Sequence, residues 1–187
     1  MATVDIFNLT EKYDIIYTDP PWEQAKGGKK KARPNSSGKP LDYPTMNLQD
    51  IFDLHKNVFQ TITNEKHDVF MWTTEKYLHQ TEKKMQELGY QLHIRFIYSK
   101  GMGQSPAFTV RFTHEYLLWF YKPGKMIMPS KETRGKYASV FCEKPKRHSQ
   151  KPIFAYEMLE DMFPNCKKIE MFARNTRNGW DCWGNEV

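Results

Sequence analysis

Short apolar segments alternate with amphipathic helical segments along most of this chain, and this alternation limits the folds open to it. We predict five strands from segments rich in β-branched and aromatic residues: 13–18, 68–73, 90–99, 115–121 and 168–173. Three helices are predicted between them. Asn47 caps the first, Thr74 caps the second, which ends just before Gly89, and the third has Pro152 in its first turn and is stopped by Pro164. This alternation is typical of a mostly parallel α/β sheet, in which ligands bind at the carboxyl ends of the strands.

The length and composition are those of one globular domain. A chain of 187 residues with 39% hydrophobic residues buries a core without disulfide or metal staples, so we expect a single domain over 1–187 and no separate target-recognition domain. The three cysteines lack CxxC spacing and the six histidines form no HExxH or HxxxH pair, so we expect no metal site. The sequence has no membrane-length apolar stretch and no signal-peptide core, which predicts a cytoplasmic protein.

The basic charge is concentrated in two irregular segments. Residues 23–40 carry a net charge of +5 and residues 122–151 carry +7, so the rest of the chain carries −6 of the total of +6. Such segments on an otherwise acidic body indicate a polyanionic partner such as nucleic acid, although solvated loops would have the same composition. The candidate contacts to a phosphate backbone are Lys29, Lys30, Lys31, Arg33, Arg111, Lys146, Arg147 and His148.

The tetrapeptide Asp19-Pro20-Pro21-Trp22 follows the first predicted strand. Two prolines cannot continue a sheet, so they hold a carboxylate, a carbonyl and an indole rigidly at the end of the strand. The Asp19 carboxylate and the Pro20 carbonyl would each accept an N–H from an amine conjugated to a heteroaromatic ring, and Trp22 would offer a flat face to a flipped base. The plainer alternative is a turn out of the strand with a packing tryptophan.

Further motifs accompany D-P-P-W in a defined order. Residues 41–46 end in Y-P-T-M, 114–118 read H-E-Y-L-L, 149–152 read S-Q-K-P, 168–174 read K-I-E-M-F-A-R, and 179–186 contain G-W and W-G-N-E. Together these elements resemble the family of N6-adenine methyltransferases that includes the catalytic subunit of the eukaryotic mRNA adenosine methyltransferase and its bacterial and phage relatives. The resemblance covers nearly the whole chain.

This resemblance implies a Rossmann-like class I methyltransferase sheet, with the motif order circularly permuted, that uses S-adenosylmethionine. It assigns catalysis to Asp19, Pro20, Pro21 and Trp22. It assigns cofactor binding to Asp5, Ile6, Asp19, Lys151, Arg174, Asn185 and Glu186. It assigns the pocket for the substrate base to Trp22, Tyr43, Glu115 and Lys151, although Tyr43 could instead pack its own loop.

The expected reaction is transfer of a methyl group from S-adenosylmethionine to the exocyclic N6 amine of adenine. DNA is the favoured substrate, because a compact family member without a eukaryotic-style regulatory region resembles the bacterial and phage enzymes. RNA remains an alternative substrate. A different alternative is that the protein is a non-catalytic nucleic-acid-binding subunit, but the intact D-P-P-W motif argues against it. The protein could act as a homodimer or with a partner subunit, since small methyltransferases without a recognition domain often gain specificity that way.

Overall fold

The structure is a computed structural model, and it describes residues 2–23, 44–101, 110, 112–144 and 151–187. The strands within these residues are β1 (Tyr13–Thr18), β2 (Thr63–Thr73), β3 (Gln91–Ser99), β4 (His114–Tyr121), β5 (Val140–Cys142), β6 (Lys168–Met171) and β7 (Trp180–Trp183). The α-helices are α1 (Leu48–Ile62), α2 (Leu78–Glu87) and α3 (Ile153–Met162). Short 3₁₀ turns lie at Glu75–Tyr77 and Lys131–Thr133.

The strands form one sheet in the order β5-β3-β4-β2-β1-β6-β7. Strand β4 is antiparallel to its neighbours β2 and β3, and the other neighbouring pairs are parallel. The carboxyl ends of β1, β2, β3 and β6 therefore meet the amino end of β4 at one edge, which we call the carboxyl edge. The predicted mostly parallel, Rossmann-like α/β fold is confirmed.

Helices cover both faces of the sheet because successive strand side chains point to opposite sides. Ile16 of β1 shares a buried cluster with Ile51 of α1 and Met85 of α2. Its neighbour Tyr17 belongs to a second buried cluster, which includes Met158 of α3. The sheet is thus enclosed between α1 and α2 on one face and α3 on the other. None of the helices in the described ranges is long and apolar enough to cross a membrane.

The predicted starts of the first and third helices are confirmed, and that of the second is not. Asn47 caps α1, since its side chain accepts the backbone N–H of Asp50 at 2.9 Å. Pro152 immediately precedes α3, and Gly89 follows α2 with a φ of +81° that favours glycine. The prediction that Thr74 caps the second helix was wrong, because a 3₁₀ turn intervenes and α2 begins four residues later at Leu78.

The strand predictions missed both edges of the sheet. Strands β5 and β7 are only three and four residues long, too short to show a period in the sequence. Strand β6 ends earlier than predicted because Phe172 adopts a φ of +61°, which breaks the extended backbone. Gly184, just after β7, packs so closely on Ala173 that a Cβ would lie 2.2 Å from the carbonyl oxygen of that residue.

Candidate active site

Asp19 begins the turn that follows β1 at the carboxyl edge, and the strand end beside it is fixed by α1. The Thr18 hydroxyl lies 3.0 Å from Nε2 of His55, and Nδ1 of His55 lies 2.7 Å from the carbonyl of Ile51. Because that carbonyl requires a donor, Nδ1 carries the proton and Nε2 accepts from Thr18. Burial lowers the pKa of His55 to about 4, so the ring is neutral and the last residue of β1 is held in one position.

Both prolines of the motif supply carbonyls to the local backbone. The N–H of Trp22 donates to the carbonyl of Pro20 at 2.8 Å, and the N–H of Met46 donates to the carbonyl of Pro21 at 2.9 Å. A carbonyl oxygen has two lone pairs, so that of Pro20 retains one for a further donor. Asp19 and Pro20, which are adjacent in the chain, thus supply two hydrogen-bond acceptors at this turn.

Trp22 is a packing residue in this structure. Its side chain is 6% exposed, its ring stacks on that of Tyr77 with centroids 5.1 Å apart, and its Nε1 donates to the carbonyl of Trp72 at 3.1 Å. The prediction that Trp22 presents an open face to a substrate base is therefore corrected: the indole is buried beneath the motif and ties it to β2 and the following 3₁₀ turn. Tyr77 reinforces this anchor, since its hydroxyl donates to the carbonyl of Glu23 at 2.5 Å.

Lys151 joins two carboxylates that come from different strands. Its Nζ lies 2.9 Å from Oδ1 of Asp19 and 2.9 Å from Oε2 of Glu115. All three side chains are largely enclosed, with exposed fractions of 13% for Lys151, 19% for Asp19 and 16% for Glu115. They meet because β4 is antiparallel, which puts Glu115 at the same edge as Asp19, and because Lys151 lies two residues before the start of α3. Sequence motifs far apart in the chain thus converge on one site.

The charges of this cluster stabilise one another. Burial opposes ionisation of Glu115, but the ammonium groups of Lys151 and Lys100 outweigh it and lower the pKa of Glu115 to about 2. Burial also favours the neutral amine of Lys151, yet the two carboxylates outweigh it and raise the pKa of Lys151. Asp19 differs, because burial raises the pKa of its carboxyl despite the opposing effect of Lys151. The site therefore holds a permanently ionised Glu115 beside a more basic Asp19.

A cluster of buried polar side chains lies next to the site, on the face of the sheet that α3 covers. Tyr17 and Glu170 are paired in register across β1 and β6, and the Tyr17 hydroxyl accepts from Nε1 of Trp72 at 2.6 Å. Tyr156 of α3 donates its hydroxyl to Oε1 of Glu170 at 2.8 Å. Burial, with a further contribution from the charge of Asp19, raises the pKa of Glu170 to about 7. Sequence reasoning did not single out Glu170, although an acidic residue inside a buried strand was the available signal.

Besides Asp19 and Lys151, the predicted cofactor residues lie at the β6–β7 end of the sheet. Nε of Arg174 lies 3.6 Å from a carboxylate oxygen of Glu186, and Asn185 is exposed beside it. The N-terminal segment runs along β7, since the N–H of Val4 donates to the carbonyl of Cys182 at 2.9 Å. This pairing directs the residues after Val4 toward the carboxyl edge.

Of the two predicted N-terminal cofactor residues, one is exposed and one is buried. The Asp5 carboxylate is exposed, and it accepts the N–H of Phe7 at 3.1 Å and the side-chain amide of Asn8 at 2.6 Å. Ile6 belongs to the core, with 1% of its surface exposed. The exposed ring of Phe7 makes an edge contact with that of Trp183, with centroids 6.1 Å apart. Carboxylate, amide and aromatic groups thus lie together at this end.

Several predicted contacts fall outside the described residues: Lys29, Lys30, Lys31, Arg33, Tyr43, Arg111, Lys146, Arg147 and His148. Within the described part of the chain, no three His, Cys, Asp or Glu side chains form a group that could hold a metal ion. Sequence reasoning also overlooked Lys100, which pairs with Glu115, and Glu143, which caps α3. Both act through contacts between distant segments, for which the sequence held no local signal.

Comparison with known proteins identifies the family. The MT-A70 family profile matches residues 13–186. This chain belongs to the MT-A70 family. The match runs from β1 through the cluster of Asp19, Glu115 and Lys151 to the final W-G-N-E, and it confirms the resemblance read from those motifs.

MT-A70 relatives differ in how much of them this chain spans. The type II methyltransferase M.MunI of Mycoplasma sp is 29% identical over 192 residues, which cover 95% of this chain and 78% of that protein. A putative N(6)-adenosine-methyltransferase MT-A70-like protein of Medicago truncatula is 26% identical over 96% of this chain but only 27% of its own length. Human METTL4, named an N(6)-adenine-specific methyltransferase, is 45% identical over 40 residues, or 21% of this chain and 8% of its own.

Proposed function

We propose that this protein transfers a methyl group from S-adenosylmethionine to the exocyclic N6 amine of adenine in DNA. The observation that carries this proposal is the Lys151 bridge, which sets the carboxylate of the D-P-P-W motif 2.9 Å from an ammonium that also binds Glu115. This arrangement places several hydrogen-bond acceptors around one point at the carboxyl edge, where α/β sheets bind their ligands. An amine with two N–H donors is the group that such a set of acceptors would recognise.

The residues at the carboxyl edge fit S-adenosylmethionine chemically. Asp5, Asn185 and Glu186 offer acceptors suited to the adenine amine and the ribose hydroxyls, and Lys151 offers an ammonium suited to the cofactor carboxylate. Asp19 carries the charge needed beside the cofactor ammonium, and Arg174 orients Glu186 through their ion pair. When bound, S-adenosylmethionine supplies the electrophilic methyl group.

Asp19 and Pro20 hold the target amine. The N6 lone pair of adenine is delocalised into the ring, so the nitrogen is a poor nucleophile. One N–H donated to the Asp19 carboxylate and one to the free lone pair of the Pro20 carbonyl orient the nitrogen and favour build-up of its lone pair. Since burial raises the pKa of Asp19, this carboxylate is also the acceptor for the proton that the methylated nitrogen releases. Positioning of these groups supplies most of the acceleration.

Glu115 contributes specificity within the base pocket. It stays ionised because Lys151 and Lys100 hold its pKa at about 2, so its oxygens only accept hydrogen bonds. Such a group favours a base edge that carries an amine and disfavours one that carries a carbonyl oxygen. Lys151 fixes this carboxylate relative to Asp19, so base recognition and catalysis share one ammonium.

The preference for DNA rests on the similarity to the type II methyltransferase M.MunI, which extends over most of both chains. RNA is the second candidate substrate, since a relative named as an N(6)-adenosine-methyltransferase also matches almost the whole of this chain. A direct competition decides between them: the protein receives labelled S-adenosylmethionine with equal amounts of unmethylated duplex DNA, single-stranded DNA and RNA of mixed sequence. We expect N6-methyladenine in DNA. Label confined to RNA would overturn the proposal that DNA is the substrate. Label in none of the polymers would overturn the proposal that this protein methylates nucleic acid.

A further inference from the structure

Lys100 lies at the carboxyl edge, directly after β3, and binds the carboxylate of Glu115. Its Nζ contacts Oε1 of Glu115, while Nζ of Lys151 lies 2.9 Å from Oε2 of the same group. Each oxygen of this carboxylate is therefore bound by a different ammonium. The Lys100 side chain is 29% exposed and that of Glu115 only 16%, so the pair lies where solvent screens it incompletely.

The backbone holds Lys100 in place. Its N–H donates to the carbonyl of Thr113 at 2.8 Å, which continues the ladder between β3 and β4 by one step. Gly101 follows with a φ of +69°, and its N–H lies 3.4 Å from Oγ of Ser99. Lys100 is thus an extension of the sheet rather than part of a free loop, and Glu115 lies on the neighbouring strand.

Four alternating charges result: Lys100, Glu115, Lys151 and Asp19 form a line whose formal net charge is zero. Without Lys100, the Lys151 ammonium would be the one cation of this line in contact with the carboxylates of Asp19 and Glu115. The line would then carry a net charge of −1. Other titratable groups also act on these carboxylates: Tyr17, Tyr98, Tyr156, Glu170 and Arg174. Arg174, the cation in this set, is itself paired with Glu186 at 3.6 Å, so it is a poor substitute for Lys100.

We propose that Lys100 is a positioning residue of this site: by binding Glu115 it leaves the Lys151 ammonium to Asp19 and favours the ionised form of that carboxyl. This inference rests on the proposed function, in which Asp19 must be ionised to accept the amine. The influences on the pKa of Asp19 are consistent with this role. Burial is the largest and Lys151 the second, and the third is the charge of Glu115, which raises the pKa of Asp19. A cation on Glu115 opposes that rise.

The pH dependence of methyl transfer tests the proposal. In Lys100→Met the acid limb of kcat/KM moves upward by roughly one pH unit, because Asp19 takes up a proton more readily. A lost structural contact would instead lower the rate equally at every pH. Lys100→Arg keeps the wild-type profile. So does the control Lys125→Met, which breaks a more exposed 2.6 Å pair with Glu65 at the opposite edge of the sheet. Superimposable profiles for wild type and Lys100→Met would overturn the proposal.

A readout without activity separates this proposal from the proposed function. Carbon-13 NMR of side-chain carboxyls in the whole protein follows the titration of Asp19, assigned by comparison with Asp19→Asn. The titration midpoint of Asp19 is expected to rise in Lys100→Met and in Lys100→Gln. The polar variant Lys100→Gln replaces Lys100→Met in this test if Lys100→Met does not fold. An unchanged midpoint overturns the role of Lys100 even if the enzyme methylates DNA. A raised midpoint supports it even if no methyl transfer is detected, a result that would count against the proposed function alone.

Discussion

Glu143 accepts the backbone N–H of Phe154 at 3.0 Å, so a carboxylate that follows β5 caps the first turn of α3. Its other oxygen accepts the N–H of Ile153, also at 3.0 Å. Glu143 is itself tied to β3, because the Tyr98 hydroxyl donates to its carbonyl at 3.0 Å. Lys151 lies two residues before Ile153, so this cap fixes the point from which the Lys151 side chain reaches Asp19.

Removal of this cap is predicted to affect both stability and activity. Glu143→Ala loses two hydrogen bonds and an anion at a helix N-terminus, which lowers the free energy of unfolding by about 1 kcal/mol. Asn47→Ala, a matched control that removes the cap of α1, is expected to cost a similar amount. Denaturant unfolding measures both losses. Methyl transfer is expected to fall in Glu143→Ala alone, and an equal fall in both variants would show that Glu143 does not position Lys151.

Local features of this fold could be predicted from the sequence, but tertiary contacts such as those of Glu143 could not. The bounds of β1 and the cap of α1 were predictable because each depends on neighbouring residues: an apolar segment, and an asparagine three residues before Asp50. The contacts of Glu143 with α3 and of Lys100 with Glu115 depend on tertiary placement, which no local pattern encodes. Both contacts exist only in the folded sheet, where β4 and the N-terminus of α3 lie at one edge.

The motif residues illustrate the same division. The convergence of Asp19, Glu115 and Lys151 was predictable from the resemblance to a known family, because each lies in one of its motifs. The burial of Trp22 was not, since its partner Tyr77 lies in a 3₁₀ turn beyond β2. The chemistry of an indole suggested stacking on a base, but packing against Tyr77 and the carbonyl of Trp72 occupies the ring instead.

His55 is predicted to make the fold sensitive to acid. Its pKa is about 4 in the folded protein and near 6.5 in an unfolded chain, so the unfolded state binds the proton first as the pH falls. The free energy of unfolding therefore decreases by roughly 3 kcal/mol between pH 6.5 and pH 4 on account of this residue. Denaturant unfolding over a pH series measures it, with His55→Gln as a non-titrating reference. Parallel pH curves for the two proteins would contradict the buried neutral histidine.

Glu170 is predicted to act in the opposite direction. Burial raises its pKa to about 7, above the ordinary value of 4.5, so the unfolded chain loses this proton first as the pH rises. Stability is therefore lost between pH 4.5 and pH 7, and Glu170→Gln gains up to roughly 3 kcal/mol over wild type across that range. Gln can still accept from the Tyr156 hydroxyl. Thermal unfolding at pH 4 and pH 8 measures the difference, and Glu157→Gln, an exposed neighbour, is expected to change nothing.

The segment that follows D-P-P-W is predicted to bind the phosphate backbone. Replacement of Lys29, Lys30 and Lys31 by Gln removes three positive charges, so the slope of log affinity against log salt for duplex DNA is expected to become shallower by about 3. A control with the same change of charge replaces the exposed Lys56, Lys66 and Lys83 by Gln. Fluorescence anisotropy over a salt series compares them. Equal slopes in the two triple variants would mean that overall charge, not this segment, governs binding.

The identity of the methylated nucleoside shows whether this protein methylates adenine at Asp19. Wild type, Asp19→Ala and the exposed control Asp53→Ala are incubated with labelled S-adenosylmethionine and unmethylated DNA, which is then digested to nucleosides. We predict N6-methyladenine from wild type and Asp53→Ala. Asp19→Ala is expected to lose at least about a hundredfold in rate while keeping its affinity for DNA. Wild-type turnover by Asp19→Ala, or label on a nucleoside other than adenine, would contradict the account.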